Sequence, residues 1–200
     1  MTGLLVQIRG ASGSGKSTLV RRWVEDHGPP LKYMVKNAAA FGLGQLTESV
    51  GAARPFALAC PVPDRPRVIV PGHYEAAGGG ADMIKSKSHI CDVIDRALAL
   101  DHNVLVESLF LSKDVNMMWS RYGGYGGMWR ILWLDVPEEE CLESVHARRT
   151  ALGREYRPMR AHARDFADVR KAVSQLTAKG ACVERHDRDS CAARVRELLG

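Results

Sequence analysis

Apolar positions along the chain fall into short β-branched runs and longer stretches with a three- and four-residue repeat. Residues 4–8 form a mostly apolar run. Beyond a glycine-rich turn, Leu19, Val20, Trp23 and Val24 share one helical face, so a helix is expected from about residue 16 to 27. Gly28 is its natural stop, and Pro29-Pro30 bar its continuation. Residues 31–35 predict a second strand. From residue 36 to 66, small residues, glycines and prolines leave room only for short elements, such as a turn of helix after Thr47. Further strands are expected at residues 67–70, 103–106, 131–134 and 181–184. Helices are expected at 83–100, with Ile84, Cys91, Ile94 and Leu98 inward, at 111–121, from Pro137 to Arg149 with Leu142 and Val145 inward, and at 190–199. Met159, Ala163, Phe166, Val169, Val173 and Leu176 repeat at helical steps and predict one long amphipathic helix. Strand and helix alternate throughout. That pattern predicts one α/β domain over residues 1–200, with a parallel sheet of about five strands and helices on both faces.

The turn after the first strand carries the clearest chemistry. Gly10-Ala11-Ser12-Gly13-Ser14-Gly15-Lys16-Ser17 satisfies G-x-x-x-x-G-K-[ST], with a strand before it and a helix after it. Glycines let successive backbone N–H groups wrap around phosphates, and the helix start adds the positive end of its dipole. Residues Ser12, Gly13, Ser14, Gly15, Lys16, Ser17 and Thr18 are therefore expected to hold a nucleoside triphosphate. Lys16 would reach the β- and γ-phosphates, and the Ser17 hydroxyl would ligate Mg²⁺.

Other strand ends should open on the same edge of the sheet. After residues 67–70 come Pro71-Gly72-His73-Tyr74-Glu75 and the glycine run Gly78-Gly79-Gly80-Ala81-Asp82. Asp82 is expected either to cap the following helix or to act as the general base on an attacking hydroxyl; the base is the leading reading. Glu107 ends the next strand, where it could hold the metal, serve as the base, or pair with a basic residue. The stretch from Trp119 to Trp129 interleaves aromatics with glycines. That composition suits base stacking or a flap, but a loop with its aromatics tucked into the core is preferred.

Composition and charge narrow the partners. Five scattered cysteines with no C-x-x-C pair read as free or buried thiols in a reducing compartment. The apolar run before Arg9 is too short for a signal peptide, and no stretch of about 18 apolar residues occurs, so a cytoplasmic protein without a membrane partner is expected. The net charge is +5. Between Arg148 and Lys171 there are eight basic and three acidic residues, which accounts for the whole excess. Arg157, Arg160 and Arg164 form a stripe that fits a phosphate backbone or simply a solvated face.

The motif Leu134-Asp135-Val136-Pro137-Glu138 leads into a helix that ends in Arg148-Arg149, and here the chain resembles the nucleoside and nucleotide kinase branch of P-loop proteins. The resemblance implies a lid at about residues 148–160, with Arg148, Arg149 and Arg154 closing over the transferring phosphoryl group; otherwise these arginines merely complement their own helix dipole. It also implies that the loop after the last strand, with Arg185 or Asp187, borders the nucleotide base. Gly72-His73-Tyr74, then Gly79-Gly80-Ala81-Asp82 and Met83-Ile84-Lys85-Ser86-Lys87, are similar to phage-encoded P-loop kinases that act on 5-hydroxymethyluracil in DNA. That likeness implies ATP and Mg²⁺ as cofactors and DNA with a modified pyrimidine as substrate. Tyr74 would stack on the base, while Gly79, Gly80, Asp82, Lys85, Arg157 and Arg160 would contact the substrate. A small-molecule nucleoside or nucleotide kinase, a polynucleotide 5′-hydroxyl kinase, and an NTP-binding switch or motor are the alternatives.

Overall fold

In the computed structural model, the first strand, β1 (Leu5–Gly10), is buried at every position and lies inside the sheet, third from one edge. The structure describes residues 3–28, 31–34, 47–48, 57–74, 80–81, 84, 87–107, 114–153 and 161–200. In chain order, β1 is followed by α1 (Lys16–Asp26), β2 (Leu31–Met34), β3 (Thr47–Glu48), β4 (Ala57–Cys60), β5 (Val68–Pro71), α2 (Lys87–Ala99) and β6 (Asn103–Glu107). Then come α3 (Val115–Tyr122), a 3-10 segment (Gly123–Met128), β7 (Trp129–Leu134), α4 (Glu138–Ala151), α5 (Ala161–Ala178), β8 (Cys182–His186) and α6 (Arg188–Leu199).

The sheet has eight strands in the order β3-β2-β4-β5-β6-β1-β7-β8. β5, β6, β1, β7 and β8 run parallel, as the alternation of elements predicts. β4, β2 and β3 extend this body antiparallel. The second strand therefore sits outside the parallel set. β4 had no expected counterpart, because Ala-Leu-Ala-Cys is too short to show a period and is buried at every position. Thr47 and Glu48 pair with Met34 and Tyr33 as a strand, and the residues after them, where a turn of helix is expected, lie outside the described residues.

Alternation along β1 sends Leu5 to one face of the sheet and Val6 and Ile8 to the other. The Leu5 face packs against α2, α3 and α5, through Ile90, Ile94, Leu98, Met118, Ala172 and Leu176. The opposite face packs against α1 and α6, through Val20, Trp23, Val24, Cys191, Val195 and Leu199. Each fully buried leucine, isoleucine or valine adds roughly 1.5–3 kcal/mol. Cys60, Cys91, Cys141 and Cys191 are buried and Cys182 is half-buried, all as free thiols. Burial pushes the Cys60 and Cys191 thiols up to about 12, so they stay protonated near neutrality. Among the described residues, no helix is long and apolar enough to cross a membrane.

The aromatics of the glycine- and aromatic-rich stretch pack into the core, while its glycines stay at the surface. Trp129 and Tyr122 are almost fully buried and meet at 6.1 Å edge-on, with Trp119 and Tyr125 packed on them. Gly126, at φ 54 and ψ −130, lets the chain turn back into β7. Because Leu5 pairs with Trp129 and Gly10 with Leu134, this cluster lies at the opposite edge of the sheet from the glycine-rich loop after β1.

Candidate active site

The loop from β1 to α1 folds as its glycines dictate. Gly13 (φ 85) and Gly15 (φ 103) both occupy the left-handed region. A Cβ on Gly13 would lie 2.1 Å from the Cys141 carbonyl oxygen, so α4 packs directly on the loop. Ser14 N–H donates to Ala11 O at 3.2 Å, and Leu19 N–H to Gly15 O at 2.9 Å. No acidic residue of α1 itself stands in its first turn. Lys16 Nζ reaches back to donate to both Gly10 O and Ala11 O at 2.8 Å, which places its charge across the loop.

Glu107, at the end of β6, faces this loop from the neighbouring strand and is only 3% exposed. Its Oε2 accepts from the Ser17 hydroxyl at 2.7 Å, and its Oε1 from the Ala81 N–H at 2.8 Å. One carboxylate thus joins the phosphate loop to the glycine loop after β5. Two hard oxygen donors in contact fit magnesium, which prefers one or two protein oxygens and keeps several waters for the rest. The basic partner considered for Glu107 in the sequence is replaced by a hydroxyl and a backbone amide.

The turn after β5 is held by its own backbone, with His73 N–H donating to Gly80 O at 3.1 Å and Ile84 N–H to Ala81 O at 3.1 Å. Tyr74 corrects an expectation. Its ring is 4% exposed within the core beside α1, and a Cβ on Gly72 (φ 139) would lie 2.6 Å from it. The tyrosine packs beneath the turn instead of presenting a face for stacking. The helix expected from residue 83 is described from Lys87 onward, and Ile84 lies in a bend. Asp82 itself, with Gly79, Lys85, Arg154, Arg157 and Arg160, lies outside the described residues.

α4 runs along the loop. Cys141 and Val145 touch Gly13, and Arg148 and Arg149 follow Val145 by three and four residues, on the same side of the helix. Arg148 is exposed and Arg149 half-buried. Arg185 is not in a loop: it lies inside β8, paired with the Asp135 carboxylate and stacked on Trp133 at 5.6 Å. Asp187 accepts from the Ser190 N–H at 2.8 Å and caps α6. Of the residues after the last strand, it is Arg188 that reaches the phosphate loop, donating to Ser14 O at 3.2 Å. No local pattern marks it, because 174 residues separate the two partners.

No protein-family model matches the chain. A protein named 5-hmdU DNA kinase, from Pseudomonas phage PaMx11, is 30% identical over 209 residues, spanning 98% of this chain and 96% of that protein. The chain belongs to the 5-hmdU DNA kinase family. A gluconokinase from Sinorhizobium meliloti 1021 is 17% identical in sequence, with a TM-score of 0.43 over 99% of this chain and 90% of its own. As a member of the 5-hmdU DNA kinase family the chain is a phosphotransferase.

Proposed function

We propose that this kinase transfers the γ-phosphate of ATP to the hydroxymethyl oxygen of 5-hydroxymethyluracil in DNA. The observation that carries the reading is the bridge from Ser17 through Glu107 to Ala81, which sets a phosphate-binding loop and a side-chain-poor glycine loop around one buried carboxylate. The name of the phage relative supports the acceptor class.

The acceptor oxygen bonds to the γ-phosphorus as the bond to the β–γ bridging oxygen breaks. ADP leaves with that oxygen, and the hydroxyl proton passes to Asp82. Magnesium held by Ser17 and Glu107 would supply charge neutralisation on the phosphates. Lys16, at the loop, meets charge developing on the γ-phosphate, and Arg148 and Arg149 add to it from α4. A base stacked in a duplex cannot enter such a site, so it must be flipped out, at a cost of a few kcal/mol. On α5, Arg164, 79% exposed and 3.8 Å from Asp168, and the exposed Arg170 and Lys171 suit a phosphate backbone.

Labelled ATP offered with free nucleosides, with oligonucleotides bearing a 5′-hydroxyl and with duplexes containing hydroxymethyluracil tests the acceptor. Label should enter the modified duplex alone. Label in free nucleosides favours the small-molecule reading, and label at 5′ ends the polynucleotide one.

Two carboxylate variants separate base from metal holder. Asp82→Asn should slow transfer by ~10²–10⁴ with an unchanged Mg²⁺ requirement. Glu107→Gln should slow transfer and raise the Mg²⁺ concentration needed for half-maximal rate. Full turnover in Asp82→Asn, together with loss in Glu107→Gln at every Mg²⁺ concentration, assigns the base to Glu107 instead.

A further inference from the structure

Arg188 is the first residue of α6, yet its guanidinium lies against the outside of the phosphate loop and is held on several sides. Nε donates to Ser14 O at 3.2 Å, and one terminal nitrogen sits 3.5 Å from Gly13 O and 3.3 Å from Ser144 Oγ. The other donates to Glu140 Oε2 at 3.3 Å. The first atom that a Cβ on Gly15 would meet is Arg188 Nε, at 3.6 Å.

These contacts act on a hinge. In a planar trans peptide the carbonyl of one residue and the N–H of the next point in opposite directions. Turning Ser14 C=O outward toward Arg188 therefore aims the Gly15 N–H into the loop, where phosphate oxygens would lie. Gly13 and Gly15, at φ 85 and 103, carry no side chain that would oppose rotation of the peptides between them. Glycine freedom builds the loop but does not by itself choose the direction of that N–H.

We propose that Arg188 is a positioning residue: it sets the Ser14–Gly15 peptide for nucleotide phosphate and, through Glu140 and Ser144, ties that peptide to α4, which carries Arg148 and Arg149. The inference rests on the reading of the loop as an ATP site. A backbone N–H that meets phosphate in both the ground and transition states contributes uniform binding, so its loss should raise KM for ATP and leave kcat nearly unchanged.

The test compares Arg188→Ala and Arg188→Lys with the wild-type chain by Mg·ADP titration, steady-state kinetics and thermal melting. Arg188→Ala should weaken ADP binding by roughly 10–100-fold, the usual consequence of losing a hydrogen bond to a charged group. KM for ATP should rise in parallel, with kcat per folded molecule within about twofold. Arg188→Lys should recover only part of the affinity, because an ammonium cannot span two carbonyls and α4 as a planar fork does. Millimolar guanidinium ion should restore ADP binding to the alanine variant. ADP affinity unchanged in Arg188→Ala, or fully regained in Arg188→Lys, overturns the inference. So does a loss that merely follows the folded fraction. Should the alanine variant fail to fold, the lysine variant decides by the same KM-against-kcat comparison. A wild-type chain that does not bind Mg·ADP overturns the ATP-site reading instead.

Discussion

Replacing Lys16 with alanine is expected to leave a folded protein whose phosphoryl transfer is slower by at least about 10²–10³-fold, the loss seen when one preorganised electrostatic contact to a transition state is removed. The side chain contributes little packing. Its ammonium bridges Gly10 O and Ala11 O at the rim of the loop, and both it and the loop around it are partly solvent-exposed. Removing it leaves carbonyls that water can reach, so the melting temperature should change little. The chemical consequence is larger, because charge on the γ-phosphate oxygens grows as the bridging bond breaks and no neighbouring residue of α1 can substitute. Single-turnover transfer at saturating ATP, set beside a thermal melt, separates the two effects. Undiminished turnover in Lys16→Ala would remove the kinase mechanism proposed for this loop.

The largest effect on stability is expected from the ion pair under the loop. Arg9 and Asp114 meet at 2.6 Å with side-chain exposures of 1% and 0%. Asp114 stands at the N-cap position of α3 but makes no capping bond with its side chain, which goes to Arg9 instead. Arg9 immediately precedes Gly10, so the pair fastens the start of α3 to the end of β1, just before the phosphate loop. Removing one partner strands the other charge away from water. Arg9→Met or Asp114→Leu alone should therefore cost about 3–5 kcal/mol, a large part of the roughly 5–15 kcal/mol that holds a domain folded. The double variant Arg9→Met/Asp114→Leu should cost much less than the sum, because no charge remains to be stranded. Urea denaturation of the four proteins measures the cycle. Single variants within about 0.5 kcal/mol of wild type would show a pair that is hydrated in solution.

How much of the protein was legible beforehand follows the range of the interactions involved. The phosphate loop was legible whole, because strand, glycines, lysine, serine and helix lie within one short stretch and fold by local backbone preference. Each of the five parallel strands was legible as a short run between helical or turn signals, buried and apolar except in β8, and Glu107 as a carboxylate at a strand end. So was the core role of the Trp119–Trp129 stretch, whose aromatics recur at spacings that a packed turn can bury.

Sequence alone thus determined the elements and chemistry that a dozen adjacent residues can specify: the parallel α/β body, the nucleotide-binding loop and the acidic strand end beside it. Tertiary structure decided the rest. Antiparallel β4 exists only because β2 and β5 lie on either side of it. Tyr74 could be read as a stacking ring until the turn at Gly72 folded it into the core, and Arg185 as a loop residue until β8 extended through His186. Ser17, Asp114 and Ser14 stand 90, 105 and 174 residues from their partners Glu107, Arg9 and Arg188. A side chain's pattern in sequence reports its own helix or strand, but its hydrogen-bond partner is chosen by which strands become neighbours in the sheet, and that order is set by packing across the whole chain.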